Sequence, residues 1–200
     1  MAHSLTQADY EIPSELLALR PPVSHEQFEE LCSTYDDLRL ELTSTGELIV
    51  MPPAGAQTSS GNSNLTYQLE AWSRENSSGI CFDSSAGFTL PNGAVRSPDA
   101  AWIHRERWEM LTKQQRDSFS HICPDFVVEL RSRTDRLPVL LNKMSEYIAN
   151  GASLGWLIDP RTHRVYVYRP DEEVVVLENP ESVSGEPLLP GFVLETAELW

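Results

Sequence analysis

The chain has 200 residues, 40% hydrophobic content and a formal net charge of −15. That length and apolar content suit a compact domain with a real core, and the charge at first sight disfavours nucleic acid as a partner. No apolar run reaches the roughly eighteen residues of a membrane span, and "MAHSLTQADYEIPSELL" lacks the basic-then-apolar pattern of a signal peptide. Residues 1–23 are polar and punctuated by proline, an irregular lead-in. "SHEQFEELCSTY" (24–35) offers Ser24 as an N-cap, with Phe28, Leu31 and Cys32 as an apolar stripe, so it predicts a short helix. "LRLELTSTGELIVMP" alternates as a hairpin turning through Ser44-Thr45-Gly46. "NSNLTYQLEAWSREN" places Leu65, Leu69 and Trp72 at helical spacing.

"CFDSSAGFTLPNGAVRSPDAAWI" reads as strand, turn, strand, with Pro91-Asn92-Gly93 supplying the turn. "RERWEMLTKQQRDSF" (105–119) predicts one polar helix, and "CPDFVVELRSRTD" (123–135) a strand over 125–130. Asp135 is placed to cap the next helix. Pro138 lies in its first turn, Leu140, Leu141, Met144, Tyr147 and Ile148 form its apolar face, and Gly151 stops it. "LGWLIDP" and "RVYVYRP" then flank Arg161-Thr162-His163 as a hairpin, followed by more short strands. This order predicts a mixed α/β sheet with helices packed on it.

Cys32, Cys81 and Cys123 are odd in number and far apart, which fits reduced core thiols of a cytoplasmic protein and neither a disulfide framework nor a zinc site. The five histidines are equally scattered. Charge, by contrast, is organised. Residues 96–169 hold twelve of the fifteen Lys/Arg and nine of the thirty acids, a local balance of +3 that leaves −18 for the rest. A mildly basic segment sits within an acidic chain.

One acid stands out inside that segment. Glu129 lies among Phe126, Val127, Val128 and Leu130, where a carboxylate is costly unless paired. Strand alternation puts Asp125, Val127, Glu129 and Arg131 on one face, and Asp99, Ala101 and Ile103 on one face of the preceding strand. If the two strands are antiparallel neighbours, Asp99 meets Glu129. A parallel crossover would instead pair Asp99 with Asp125, and spacing alone does not choose.

Two converging carboxylates repel each other unless a cation neutralises them. A hard divalent ion such as Mg²⁺ suits an all-oxygen ligand set and brings phosphate chemistry with it. Lysine is the usual complement, as a point charge or proton-transfer partner. Lys143 lies between Leu140 and Tyr147 on the helix after the Glu129 strand; Lys113 is the only other lysine. The plainer readings are that Asp99 caps a turn, that Glu129 pairs with Arg131 or Arg133, and that Lys143 is a solvated helix residue.

"GFTLPNGAVRSPDAAWIHRERW", "CPDFVVELRSRTDRL", "KMSEYIANGASLGWLIDP" and "VYVYRP…LPGFVLE" resemble the Uma-type family of restriction-endonuclease-like proteins, within the PD-(D/E)XK nuclease superfamily. The resemblance runs from about residue 24 to the C-terminus. It implies an α/β (α+β) fold: a restriction-endonuclease-like mixed central β-sheet flanked by helices, with extra hairpins at both ends and residues 24–200 as a single domain. It also implies antiparallel catalytic strands, which selects Asp99 and Glu129 as metal ligands. The sequence departs from the superfamily pattern at Arg131, where lysine is usual. The family places that lysine on the following helix, at Lys143. Gln57 stands where relatives often carry an acid, with Asn62 and Gln68 as further contributors from the first core helix.

The expected activity is a Mg²⁺- (or Mn²⁺-) dependent endonuclease cleaving DNA phosphodiesters, with Asp99, Glu129 and Lys143 catalytic and Arg131 and Arg133 touching phosphate. DNA would be bound weakly, because most of the chain is acidic, and a homodimer fits the cutting of two strands. The rivals are a catalytically silent nuclease-fold binding protein, favoured by the missing lysine at 131, and a metal-dependent hydrolase of small phosphoesters, favoured by the acidic surface. Asp125, the second Pro-Asp aspartate, is expected to be structural.

Overall fold

The computed structural model describes residue 16, residues 22–51 and residues 53–200. The lead-in expected over residues 1–23 therefore lies almost wholly outside the described residues. The chain divides into two compact units, Met1–Pro53 and Ala54–Trp200.

In the first unit, helix α1 (His25–Thr34) starts at Ser24, whose hydroxyl accepts from Gln27 N while the Gln27 side chain accepts from Ser24 N. This reciprocal capping box satisfies two amides that would otherwise lack partners. Strands β1 (Arg39–Leu42) and β2 (Leu48–Met51) form the expected hairpin, with Leu40 opposite Val50. Gly46 sits at φ +77° in its turn, a region that favours glycine.

The second unit is built on a six-stranded sheet. Its strands are β3 (Gly79–Asp83), β6 (Ala100–His104), β7 (Phe126–Leu130), β8 (Leu154–Asp159), β9 (Arg164–Tyr168) and β10 (Val175–Glu178). They lie in the order β10-β9-β8-β7-β6-β3, and only the β7–β8 pair is parallel. Helix α5 (Leu137–Ala149) makes the connection that a parallel pair requires. Helix α2 (Ala56–Asn76) covers the opposite face. Short β4 (Phe88–Thr89) and β5 (Val95–Arg96) pair across Pro91-Asn92-Gly93, and β11 (Ser182–Ser184) pairs with β12 (Val193–Glu195) near the C-terminus.

Alternation along β7 divides the core in two. Phe126, Val128 and Leu130 join Leu65, Leu69, Trp72, Trp156 and Phe192 beneath α2. Val127 points the other way, to Leu140, Met144 and Tyr147 of α5. Each face seals one side of the central strand, which is why all five β7 residues, Glu129 included, are buried.

Two local expectations change. The polar helix predicted over 105–119 is broken into α3 (Arg105–Glu109) and α4 (Lys113–Arg116). Thr112 caps α4 in a capping box with Gln115, and a new start interrupts the helix. Asp135 does not cap α5. The N-cap is Arg136, with no side-chain bond, because the Asp135 carboxylate turns back to accept from Ser132 N at 2.8 Å.

Candidate active site

The register of β6 and β7 pairs Ala100 with Val128, Ala101 with Val127 and Trp102 with Phe126. One step further along the ladder Asp99 falls beside Glu129. The Asp99 carboxylate is anchored on the residue after Glu129: Leu130 N donates to Asp99 Oδ2 at 2.8 Å. The strands are antiparallel neighbours, and the alternative pairing of Asp99 with Asp125 does not occur.

Glu129 projects toward α5. Its Oε1 takes the Lys143 ammonium at 2.7 Å and the Tyr147 hydroxyl at 3.1 Å. Lys143 and Tyr147 are one turn apart, so they share a helix face, and the ammonium lies 5.8 Å from the Tyr147 ring centroid, within cation–π range. The Lys143 side chain is 10% exposed and that of Glu129 6%, so Lys143 is not a solvated helix residue. At such burial a charge needs its partner, and removing one member is far more costly than the pair's net worth.

Asp99 is tied down from the other face of the sheet. Asn62 Nδ2 donates to Asp99 Oδ1 at 2.9 Å, while Asn62 Oδ1 is buried without a hydrogen-bond partner among the described residues. Gly61 permits this approach: a Cβ there would stand 2.7 Å from Leu130 Cδ2. A larger residue would force the Leu130 side chain to move at the end of β7.

The remaining expected contributors fall elsewhere. Gln68 accepts from Glu195 N at 2.8 Å and donates to Glu195 O at 3.0 Å, fastening α2 to β12. Gln57 is exposed in the first turn of α2, five residues and about 7.5 Å of helical rise before Asn62. Arg131 makes a 2.7 Å ion pair with the fully buried Asp159 and donates to the Asp135 carbonyl. Arg133 is exposed on the loop after β7. Asp125 holds the opposite end of the strand pair, accepting from His104 N at 2.8 Å and from Arg107 Nη1 at 2.6 Å.

Tyr147 is the site residue that sequence reasoning passed over, as one more apolar position of α5. Its phenol, four residues after Lys143, was the available signal, because a buried tyrosine needs a partner for its hydroxyl.

The oxygens of Asp99 and Glu129, with the partnerless Asn62 Oδ1, fit a hard divalent cation. Among the described residues no group of three His, Cys, Asp or Glu side chains is arranged to hold a metal, so the remaining positions would fall to water, amide oxygen or substrate. The thiols do not compete. Burial pushes Cys81 and Cys123 up to about 12, which keeps them protonated and poor ligands near neutral pH.

A central mixed sheet flanked by helices, with one parallel pair joined through α5, is the architecture of the restriction-endonuclease-like class. The chain belongs to the Uma2 family, whose description is "putative restriction endonuclease"; the family model matches residues 25–197. The fold is similar to the crystal structure of a "putative nuclease belonging to DUF820" from Anabaena variabilis, with a TM-score of 0.75 at 20% identity over 89% of this chain and 97% of that one. No curated protein matches the sequence. Among the described residues no helix is long and apolar enough to cross a membrane.

Proposed function

We propose that the chain is a divalent-metal-dependent endonuclease hydrolysing DNA phosphodiester bonds. The observation that carries this reading is the meeting of Asp99 and Glu129 at adjacent strand ends with Lys143 2.7 Å from the glutamate. A buried ion pair of this kind is poor value as a fold stabiliser, and a buried acid and lysine brought together beside a second acid mark a candidate functional site.

Asp99 and Glu129, helped by Asn62, would hold Mg²⁺ or Mn²⁺, which when bound supplies Lewis-acid stabilisation of phosphate charge and a more acidic water. The chain's own residues do the rest. Asn62 and Leu130 N fix the Asp99 carboxylate, and Tyr147 fixes the rotamer of Glu129. Lys143, held on Glu129, orients the attacking water as an ammonium and deprotonates it only from the neutral amine form. Arg131, committed to Asp159, leaves that task to Lys143; a guanidinium also stays protonated and serves poorly as a base. The family match over residues 25–197 supports this stretch acting as one functional unit, the dispersed free thiols fit a cytoplasmic setting, and a two-fold dimer would bring two sites to the two strands of a duplex.

The test is cleavage of supercoiled, linear and single-stranded DNA with Mg²⁺, Mn²⁺ or EDTA, beside Glu129→Ala and Lys143→Ala. Metal-dependent cleavage by the wild type alone is expected. Equal cleavage by wild type and both variants would mark a contaminant and sink the assignment. Metal binding that depends on Asp99 and Glu129, with hydrolysis confined to small phosphoesters, would transfer the chemistry to that substrate class.

A further inference from the structure

The loop after β7 and the turn after β8 leave the sheet side by side. β7 and β8 are parallel neighbours, Leu130 opposite Ile158, and Arg131 N donates to Ile158 O at 2.9 Å. Both segments therefore emerge at the end of the sheet where Glu129 lies. One carboxylate braces the two. Asp159, wholly buried, takes Arg131 of the first segment through Oδ2. In the second it accepts from Arg161 N at 3.1 Å and Thr162 Oγ1 at 3.0 Å. Arg131 also donates to the Asp135 carbonyl, so residues 131–135 close into a fixed loop.

Three further arginines ride on this frame: Arg133 and Arg136 on the first segment and Arg161 on the second. All three are exposed, and among the described residues none forms an ion pair. Ordering long cationic side chains on a braced frame with no acidic partner is of little use to folding. In a chain of net charge −15 it also concentrates positive potential beside the paired carboxylates, where most of the surface repels a polyanion. The helix that follows, α5, has no acid in its first turn and no side-chain cap, so it adds partial positive charge at the same rim.

We propose that this rim, residues 131–136 with 160–163, is the docking platform for the backbone of duplex DNA, with Arg133, Arg136 and Arg161 as phosphate contacts and the Arg131–Asp159 pair as their brace. The proposal rests on the nuclease reading for its choice of polyanion. A duplex carries about one charge per 1.7 Å of axis, and the rim leaves the sheet at the same end as Glu129, so a segment reaching the carboxylates would have phosphates within range of it. Contacts of this kind position without reading sequence.

The experiment is anisotropy with a short fluorescein-labelled duplex in EDTA across a NaCl series, comparing wild type with Arg133→Ala, Arg136→Ala, Arg161→Ala and the triple variant. Arg74→Ala, exposed at the far end of α2, is the control. Each rim variant is expected to weaken binding by about three- to tenfold and to lower the salt slope by about one, with Arg74→Ala unchanged. Equal binding by rim variants and control, or no duplex binding by the wild type at the lowest salt, overturns the platform. So does arginine-dependent binding to phosphatidylserine vesicles but not to duplex. Hydrolysis of bis(p-nitrophenyl) phosphate separates the two proposals. Rim variants that keep this activity but need more duplex for cleavage support both. Arginine-dependent duplex binding without hydrolysis of either substrate leaves the platform standing and the nuclease reading fallen. Unchanged duplex cleavage by the triple variant does the reverse.

Discussion

Pro98-Asp99 and Pro124-Asp125 are the same dipeptide, each leading into a strand, and the two strands are antiparallel neighbours. They therefore stand at opposite ends of the pair. Asp99 meets the end of β7, where Glu129 is backed by Lys143 and Tyr147 from α5. Asp125 meets the end of β6, where it accepts from His104 N and pairs with Arg107, fastening the start of α3. Asp99 lies at the strand end that also carries Glu129, with a single lysine, Lys143, drawn in from α5; Asp125 stands alone with His104 N and Arg107. Two acids gather at the first place, and one acid with its own cation at the second. Antiparallel geometry separates the two roles.

The comparison breaks most visibly in activity. Lys143→Ala is expected to lower the cleavage rate by about a hundred- to ten-thousand-fold, the usual span for a lost proton-transfer group, and Glu129→Ala, which removes a metal ligand, by at least as much. Asp125→Ala should leave the rate per folded molecule within a few-fold. A dead Asp125→Ala enzyme with an unchanged melting curve would refute the division of roles.

Stability should show the opposite ranking for the structural pairs. Asp159→Ala strands Arg131, whose side chain is only 12% exposed, and is expected to cost about 3–5 kcal/mol in urea unfolding. Asp125→Ala leaves the more exposed Arg107 behind and should cost about 2 kcal/mol. Sharper still is Tyr147→Phe, which keeps the buried ring and deletes the hydroxyl on Glu129. A loss of about 1–2 kcal/mol in stability with roughly tenfold weaker Mn²⁺ binding by calorimetry is expected. Unaltered Mn²⁺ affinity would confine Tyr147 to packing.

One effect is confined to alkaline solution and is negligible near neutral pH. Burial pushes the Cys81 and Cys123 thiols from 9.0 up to about 12. Because the folded value is the higher one, the stabilisation is fully present below about pH 9 and is lost as pH rises through about 12. Native protein should resist iodoacetamide at these two thiols at pH 8, and Cys81→Ser/Cys123→Ser should flatten the decline in stability above pH 9. Rapid alkylation of Cys123 in folded protein would contradict its burial.

Much of this was legible. Period-two alternation put Glu129 and Val127 on one face of β7 before any pairing was known, and helical spacing put Lys143 with Tyr147. What misled was local plausibility. Asp135 is a good N-cap by type, yet Ser132 N lies closer than the helix start. Arg131 and Gln68 are polar residues near the site in sequence, yet their partners, Asp159 and Glu195, come from 28 and 127 residues away. Such partners leave no trace in spacing.

The sequence alone determined the periodicities, and with them the faces: which residues of β7 look toward α5, which of α2 look toward the sheet, and that a carboxylate would have to be buried among them. It did not determine which strand ends meet. The connector between β6 and β7 is long enough for either orientation, so only the hydrogen-bonded register of the assembled sheet could bring Asp99, and not Asp125, to Glu129.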